Sequence, residues 1–416
     1  MQRVSWSHPV TCLDGRRNEN GGPVKQSLYL AWRYLAYHRI KTAILVTSIA
    51  LIVFLPVGLQ VLVSQSAEQL TSRAEATPLV VGAKGSPLEL VLNTLYFESD
   101  TPETMQYAEV TRVTNSGLAT PIPLYTRFQA RRHPIVGTTL DYFAFRGLKI
   151  ASGRNMAVLG ECVVGAEVAK ALGVKPGGHV VSSPENVFDL AGVYPLKMRV
   201  AGVLEFSDTP DDNAIFVDVK TAWIIEGLGH GHQDLAASEA AGAVLSREGN
   251  TITANASVVQ YNEITPELLD SFHFHGNQAG YPITAIIAVP PDEKSGVLLR
   301  GRYQSQEKLS QILKPITVMN ELLSTILTVQ SYVVAAVVIV GLSTLATAVL
   351  VFMLSLRLRR REIETMVKIG GAKLSIWSVL ALEIVVVLMI SVSVASVLTV
   401  LTTWFGSTAI RALILS

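Results

Sequence analysis

The chain of 416 residues is long enough for two or three soluble domains, but only 16% of its residues are charged, against roughly 25% in soluble globular proteins. Its apolar fraction of 49% excludes an intrinsically disordered chain, and its formal net charge of +1 does not favour nucleic acid as a partner. The presence of two cysteines, Cys12 and Cys162, excludes a disulfide scaffold or a cysteine-rich zinc fold. The deficit of charge indicates instead that part of the chain is buried in lipid.

The N-terminal region precedes the first long apolar run. Residues 1–26 are polar and rich in Gly, Asn and Arg, so we predict a disordered segment there. Residues 27–41 combine apolar positions at helical spacing with aromatic and cationic side chains, as in helices that lie in the headgroup layer. This pattern predicts an interfacial amphipathic helix in contact with membrane lipid. The alternative is that the segment is only the positive flank of the run that follows.

Three segments are long and apolar enough to cross a bilayer, which takes about 20 residues. They cover residues 42–63, 329–356 and 374–403, and only the third carries a charged side chain, Glu383. We therefore predict an integral membrane α-helical protein with three spans.

The distribution of lysine and arginine predicts the orientation of these spans. Both residue types are concentrated before the first span and within residues 357–373, and positively charged segments of this kind remain in the cytoplasm. We therefore predict a cytoplasmic N-terminus and a cytoplasmic loop at 357–373. Residues 64–328 then form a large domain on the outer side, and residues 404–416 form a short tail on the same side.

The outer segment, residues 64–328, alternates short β-rich runs with a few helices, which predicts an α+β domain. Strands are predicted at Pro78–Gly82, Ala130–Gly137, Glu161–Gly165, at the end of Gly173–Val181, and at Lys197–Phe206, Ala214–Val217 and Tyr281–Val289. Helices are predicted at Ala166–Leu172, at Glu293–Leu299, and over the amphipathic stretch Gln304–Glu321, which leads directly into the second span.

Several segments together resemble the MacB/FtsX/LolC-type ABC transporter permease family. They are Ala31–Lys41, Val164–Ala169 with Leu172–Gly177, Val200–Leu204 with Thr209–Asp212 and Ile215–Val217, and Arg359–Glu364 followed by the small-residue turn Lys368–Ala372. The resemblance extends over most of residues 27–404 and implies an FtsX-like permease with a MacB-like periplasmic core domain in the inner membrane of a bacterium. The family usually has four spans. The segment that follows the third span is too short to cross the membrane again, so we expect a three-span variant or a truncated form.

Nucleotide chemistry is not expected in this chain. The sequence lacks the G-x-x-x-x-G-K-[ST] loop that cradles phosphates, so we expect no catalytic residue, no directly bound cofactor, and ATP hydrolysis in a separate cytoplasmic ABC ATPase. The resemblance assigns contact with that subunit to the loop at 357–373. The residues expected to couple the ATPase to the spans are Arg361, Glu362, Ile363, Met366, Val367, Ile369, Gly370 and Gly371. The alternative is that the cations of this loop only set the topology.

Two further groups of polar residues stand out. An ionisable side chain at mid-membrane costs about 2.5–3.5 kcal/mol, so for Glu383 we expect a structural pairing with Arg357 or Lys373 rather than a proton relay. Two His-x-His pairs, His230 with His232 and His273 with His275, lie in the outer domain, and paired imidazoles on a strand suit zinc or copper. The sequence does not show that the pairs meet, and the glycines around the first indicate a loop, so we assign no metal ligand.

The function that these observations predict is that of a permease subunit. ATP hydrolysis by the partner would move the outer domain through the spans and so export or extract a lipophile, lipoprotein, peptide or metal-linked substrate. We expect a homodimer or a paired permease, with a periplasmic partner protein as a further option. The alternatives are an FtsX-like regulator that activates a partner such as a cell-wall hydrolase, and a membrane-anchored sensor that needs no ATPase.

Overall fold

The computed structural model describes residues 23–98, 100–183, 195–232, 244–248, 251–254, 261–304, 309–358, 360–368 and 373–414. The predicted disordered segment 1–26 lies mostly outside these residues, as does Cys12. The chain divides into a helical unit, Met1–Glu68 with Thr325–Ser416, and an α+β unit, Gln69–Ser324.

The helices and strands follow one another in this order: α1 (Pro23–Tyr37), α2 (Arg39–Glu75), β1 (Leu79–Ala83), α3 (Pro87–Tyr96), β2 (Met105–Gln106), α4 (Ala108–Ser116), β3 (Thr120–Ala130), β4 (His133–Thr138), α5 (Leu140–Arg146), β5 (Ile150–Gly153), β6 (Glu161–Val164), α6 (Ala166–Leu172), β7 (His179–Val181), β8 (Lys197–Leu204), β9 (Ile215–Asp218), α7 (Val219–Glu226), β10 (Gly229–Gly231), β11 (Val244–Glu248), β12 (Thr251–Ala254), β13 (Phe272–Phe274), β14 (Pro282–Ile283), β15 (Ala285–Val289), α8 (Glu293–Arg302), β16 (Ser310–Leu313), α9 (Pro315–Leu358), α10 (Arg360–Lys368) and α11 (Lys373–Ile414).

The helical unit contains the long apolar helices. Among the described residues, α2, α9 and α11 are long and apolar enough to cross a membrane, and each contains one of the three predicted spans. The amphipathic segment predicted at 27–41 is divided between two helices, because α1 ends at Tyr37 and α2 begins at Arg39. Within this unit α1 packs against α11, with Ala31 and Leu35 buried and Trp32 exposed.

The α+β unit is built on one mixed sheet of ten strands. Its order is β16-β1-β15-β3-β4-β9-β6-β8-β5, with β7 paired to β8. The pairs β4–β9 and β6–β8 are parallel, and the others are antiparallel. Both faces of the sheet are covered: in β6, Cys162 and Val164 belong to one hydrophobic cluster, while Val163 belongs to the other. A strand buried on both faces is a continuous apolar run, as the sequence of β6 shows.

A third hydrophobic cluster joins three helices within the α+β unit. It contains Ala74 from the end of α2, Val91 and Leu95 from α3, and Met319 from the start of α9. The Tyr96 hydroxyl also donates a hydrogen bond to the Leu70 carbonyl. The last turns of α2 and the first turns of α9 are therefore part of this unit's packed core.

Most of the predicted elements of the outer domain are present, but two predictions are wrong. The stretch Gln304–Glu321 does not form one helix, because β16 pairs with β1 and α9 begins only at Pro315. Proline disfavours helical geometry at the residue before it and fits the first turn of a helix, so the helix begins there. The predicted strand Ala130–Gly137 is instead a hairpin that turns at Arg131 and Arg132, both of which have positive φ, at 48° and 74°.

Candidate functional site

The predicted ATPase-coupling segment contains the short helix α10. Its exposed side carries Arg361, Glu364, Thr365 and Lys368 at the spacing i, i+3, i+4 and i+7, and Arg360 Nε lies 3.1 Å from Glu364 Oε1. The apolar residues in the sequence of this helix are Ile363, Met366 and Val367. Ile369, Gly370 and Gly371 lie outside the described residues. The helix is amphipathic, as are helices that dock in a groove of a partner protein.

Two polar features lie on the long helices of the helical unit. The side chain of Glu383, in α11, is buried, and its pairing with Arg357 or Lys373 stays a prediction. The second feature joins α2 to α9, since the Gln330 Nε2 donates a hydrogen bond to Gln60 Oε1 at 2.8 Å. Side-chain amides that bond across apolar helices fix the two helices relative to each other.

The end of α2 is fastened to the core of the α+β unit by a network that sequence analysis missed. Arg73 donates two hydrogen bonds to the Asp211 carboxylate, from Nη1 to Oδ2 at 2.7 Å and from Nη2 to Oδ1 at 2.9 Å. The Tyr142 hydroxyl donates to Asp211 Oδ1 at 2.7 Å and accepts from Arg73 Nη2 at 2.8 Å. We name these three residues the α2 anchor.

The α2 anchor is almost completely shielded from water. The side chains of Arg73 and Asp211 are 8% and 1% exposed, and Tyr142 is fully buried. Burial alone would raise the pKa of Asp211, but the Arg73 charge and the hydrogen bonds from Arg73 and Tyr142 outweigh it and hold that pKa below its usual value. A bidentate arginine–carboxylate pair with a third hydrogen-bond partner is the arrangement in which a buried ion pair is tolerated.

Asp211 is positioned by a short 3₁₀ turn, Pro210–Asn213. Asp212 in the same turn accepts a hydrogen bond from the Ser207 backbone N–H at 3.0 Å, and the Thr209 side chain completes a capping box with it. The turn lies directly against Gly165, since a Cβ on that glycine would come within 2.3 Å of the Asp212 carbonyl oxygen and 2.4 Å of that of Asp211. Two segments that carry the family resemblance, Val164–Ala169 and Thr209–Asp212, therefore meet at the α2 anchor.

The two His-x-His pairs meet on a two-stranded ribbon, although the sequence predicted a loop for the first pair. Strands β10 and β13 pair antiparallel with His230 opposite His273. The centroid of the His230 ring lies 5.0 Å from the ring centroid of His273, 4.9 Å from that of His275 and 5.7 Å from that of His232. One ring nitrogen from each of His230, His232 and His273 lies within 4.8 Å of the others. Because side chains alternate along a strand, all four imidazoles share one face of the ribbon.

The opposite face of the ribbon explains the glycines. A Cβ on Gly229 would come within 2.7 Å of the Phe274 ring, and one on Gly231 within 2.6 Å of the Phe272 ring. The Phe274 ring lies 6.4 Å from Trp223, whose indole N–H donates to the Pro282 carbonyl at 2.8 Å. These glycines therefore leave space for aromatic rings that fix the ribbon to the core, instead of marking a loop.

Cys162 lies in the core. Its side chain is fully buried in β6, and burial, followed by the charge of Glu161, raises the pKa of its thiol to about 12. A thiol in this state is inert.

Known proteins resemble this chain over the apolar helix α2 and much of the α+β unit. A family model described as the MacB-like periplasmic core domain matches residues 42–261. None of the curated proteins matches the sequence significantly.

Two solved structures are similar at low sequence identity. The periplasmic region of MacB from Actinobacillus actinomycetemcomitans is 12% identical, with a TM-score of 0.34, and the match covers 62% of this chain and 97% of that one. The extracellular domain of the noncanonic ABC-type transporter YknZ from Gram-positive bacteria is 10% identical, with a TM-score of 0.31, and the match covers 56% of this chain and 98% of that one.

Proposed function

The chain belongs to the MacB-like periplasmic core domain family, whose members are permease components of ABC transporters, and from this premise we propose a mechanotransmission role for it. In this proposal α2, α9 and α11 cross the inner membrane of a bacterium, and the lysine- and arginine-rich segments face the cytoplasm. The α+β unit then lies in the periplasm. A separate ATPase supplies the energy, and this chain converts the ATPase cycle into movement of its periplasmic unit.

The observation that carries the proposal is the α2 anchor. Helix α2 is continuous from Arg39 to Glu75, and its last turns belong to the core of the α+β unit. Arg73 ties it to the buried turn of that unit that carries Asp211. A movement of α2 along its axis must carry this turn with it, because separating the buried charges would cost about 3–5 kcal/mol.

The other end of the proposed pathway is α10. We assign its apolar positions, together with Arg361 and Glu362, to a groove of the ATPase, since a short amphipathic helix can fill such a groove and transmit a push. Gly370 and Gly371 complete the predicted coupling segment. ATP binds only to the partner, and a homodimer or paired permease would complete the set of spans.

The substrate class and the output of the movement follow from the same proposal. The periplasmic unit would export or extract a lipophile, lipoprotein, peptide or metal-linked substrate. The alternative is regulation, in which the moving unit activates a periplasmic enzyme such as a cell-wall hydrolase and nothing is transported. ATP-dependent efflux from vesicles containing the purified complex would distinguish the two.

The first experiment purifies the full chain from its native membranes in mild detergent. We expect an ATPase with a Walker A loop to co-purify with the wild type and its recovery to fall at least tenfold with the triple variant Glu362→Ala, Ile363→Ala and Met366→Ala. Alanine has the highest helix propensity, so α10 persists and only its contact surface is removed.

The matched control is Thr365→Ala, on the exposed side of the same helix, which we expect to retain the ATPase. If the wild type recovers no ATPase from membranes in which the chain is intact, the permease mechanism is wrong and the anchored-sensor alternative takes its place. Equal recovery with the triple variant would remove α10 from the coupling pathway.

A further inference from the structure

The histidine ribbon of β10 and β13 has the composition of a transition-metal site. Its face presents His230, His232, His273 and His275, and neutral imidazole is the commonest ligand for zinc and for copper and nickel. Three of the side chains, those of His230, His232 and His273, are half-buried, while His275 is exposed. The cluster is therefore open to ions on one side and shielded on the other.

One of the rings is already held in the orientation that a metal ligand needs. His273 Nδ1 lies 3.1 Å from the Ser271 carbonyl oxygen. A carbonyl oxygen can only accept a hydrogen bond, so Nδ1 carries the proton and Nε2 keeps its lone pair for an ion. Metal-bound histidines usually donate their other ring N–H to a carboxylate or a backbone carbonyl in this manner.

The scaffold beneath the imidazoles is rigid in the way that a preformed site requires. Phe272 and Phe274 fill the space above Gly231 and Gly229, and the Tyr281 hydroxyl contacts the carbonyl oxygens of Leu228 and His275 at the two strands. Tyr281 itself packs against Trp223, with ring centroids 5.0 Å apart. Paired strands on a packed aromatic base hold the backbone positions of the four histidines in place without an ion.

We propose that His230, His232 and His273 bind one Zn²⁺ ion, with His275 as the adjoining fourth imidazole. Zinc–nitrogen bonds of about 2.0–2.1 Å place tetrahedral ligand atoms about 3.4 Å apart. The present spacing of up to 4.8 Å would close by rotation about the side-chain bonds of His230 and His232 towards His273, without moving the strands.

Zinc binding here is independent of the transport proposal, because no residue of the site belongs to the α2 anchor or to α10. A chain that recruits no ATPase would still bind the ion. A chain that recruits the ATPase and binds no ion would refute only the zinc site.

The test titrates Zn²⁺ into the tag-free full chain in lipid nanodiscs against a chromophoric chelator. We expect one ion per chain. Loss of a residue that only hydrogen-bonds a metal ligand typically weakens metal affinity by about 10–100-fold, so we expect His230→Gln and His273→Gln, which remove a ligand, to weaken zinc binding by at least that much. Cobalt added in place of zinc gives the intense visible absorption of a four-coordinate ion with the wild type and loses it with His230→Gln.

The control is His133→Gln, a half-buried histidine on β4 of the same unit, which we expect to leave zinc affinity unchanged. The fluorine resonance of 5-fluorotryptophan at Trp223 monitors the fold, because Trp223 is the only tryptophan among residues 69–324 and packs against the ribbon. The proposal is overturned if the wild type binds no stoichiometric zinc. It is also overturned if the double variant His230→Gln/His273→Gln, with an unchanged Trp223 resonance, binds zinc as tightly as the wild type.

Discussion

Replacing Arg73 by methionine is expected to destabilise the α+β unit by about 3–5 kcal/mol, the cost of breaking a buried ion pair. Methionine fills much of the volume of the arginine stem but leaves the Asp211 carboxylate, which is 1% exposed, without its cation. The Tyr142 and Thr209 hydroxyls then remain to donate hydrogen bonds to that carboxylate, and neither carries a compensating charge. The destabilisation arises from the stranded charge and not from lost packing.

Cys162 offers a direct measurement of this effect in the intact protein. Its thiol is fully buried in the central sheet, so in a Cys12→Ser background the rate of labelling by a maleimide reports how often the α+β unit opens. A loss of about 3–5 kcal/mol raises that rate by at least 100-fold, since each 1.36 kcal/mol corresponds to a factor of ten. The experiment uses the full chain in membranes.

Two further variants separate the charge effect from a general effect of substitution. Lys170→Met removes the exposed partner of Glu167 and is expected to change the labelling rate by less than about tenfold, because surface ion pairs contribute roughly 0–1 kcal/mol. Adding Asp211→Asn to Arg73→Met neutralises the stranded carboxylate, so we expect it to restore part of the stability. If Cys162 is labelled at the same rate in Arg73→Met as in Lys170→Met, the α2 anchor does not hold the end of α2 in the core.

Local patterns in the sequence predicted the elements whose determinants are local. The helix Ala166–Leu172 was predicted with the same bounds as α6. Strands β6 and β8 lie within their predicted ranges, and β9 is displaced from its predicted range by one residue. The three apolar runs each fall inside one long helix, α2, α9 or α11. In all these cases a run of side chains with one period is sufficient, because the periods of helix and strand differ.

The hairpin at Arg131 and Arg132 shows where local patterns fail. A two-residue turn with positive φ at both central positions, as here, is usually formed by Asn and Gly, which adopt that conformation readily. A pair of arginines carries no such signal, so Ala130–Gly137 was predicted as one strand. The structure holds both arginines at positive φ because β3 and β4 pair on either side of them.

The candidate sites failed prediction for a different reason, because their partners are remote in the chain. Arg73 and Asp211 are 138 positions apart, and no local pattern around Arg73 indicates a buried partner. The Thr209–Asp212 segment was recognised by its family resemblance, but nothing in it indicated which charge it binds. In the same way, only the pairing of β10 with β13 shows that the two His-x-His pairs form one cluster.

Replacing Gly165 by alanine is expected to destabilise the α+β unit by about 3 kcal/mol, at the upper end of the cost of overpacking. The backbone of Gly165, at φ −62° and ψ 159°, suits alanine, so the cost is steric. The added methyl group would lie 2.3 Å from the Asp212 carbonyl oxygen and 2.4 Å from that of Asp211. These are backbone atoms of a capped turn, so the turn itself must shift.

The loss of stability is measured in the full chain as a fall in the thermal midpoint, the temperature at which half of the native fluorine resonance of Trp223 has disappeared. For a unit of this size we expect the midpoint to fall by roughly 6–12 °C, at about 2–4 °C per kcal/mol. Gly301→Ala is the matched control, because its Cβ would meet nothing within 4 Å, and alanine in place of glycine favours the helix. An unchanged midpoint for Gly165→Ala would mean that the turn adapts without cost.

The same displacement should weaken the α2 anchor, because Asp211 lies in the turn that Gly165 supports. We therefore expect Gly165→Ala and Arg73→Met to be less than additive when combined, since a turn that has already moved has less of the ion pair left to lose. Strict additivity of the two losses in stability would separate the glycine contact from the anchor. A coupling of 0.5 kcal/mol or more, the lower limit of about 0.5–3 kcal/mol seen for residues that share a network, would join both family segments and the end of α2 in one structural element.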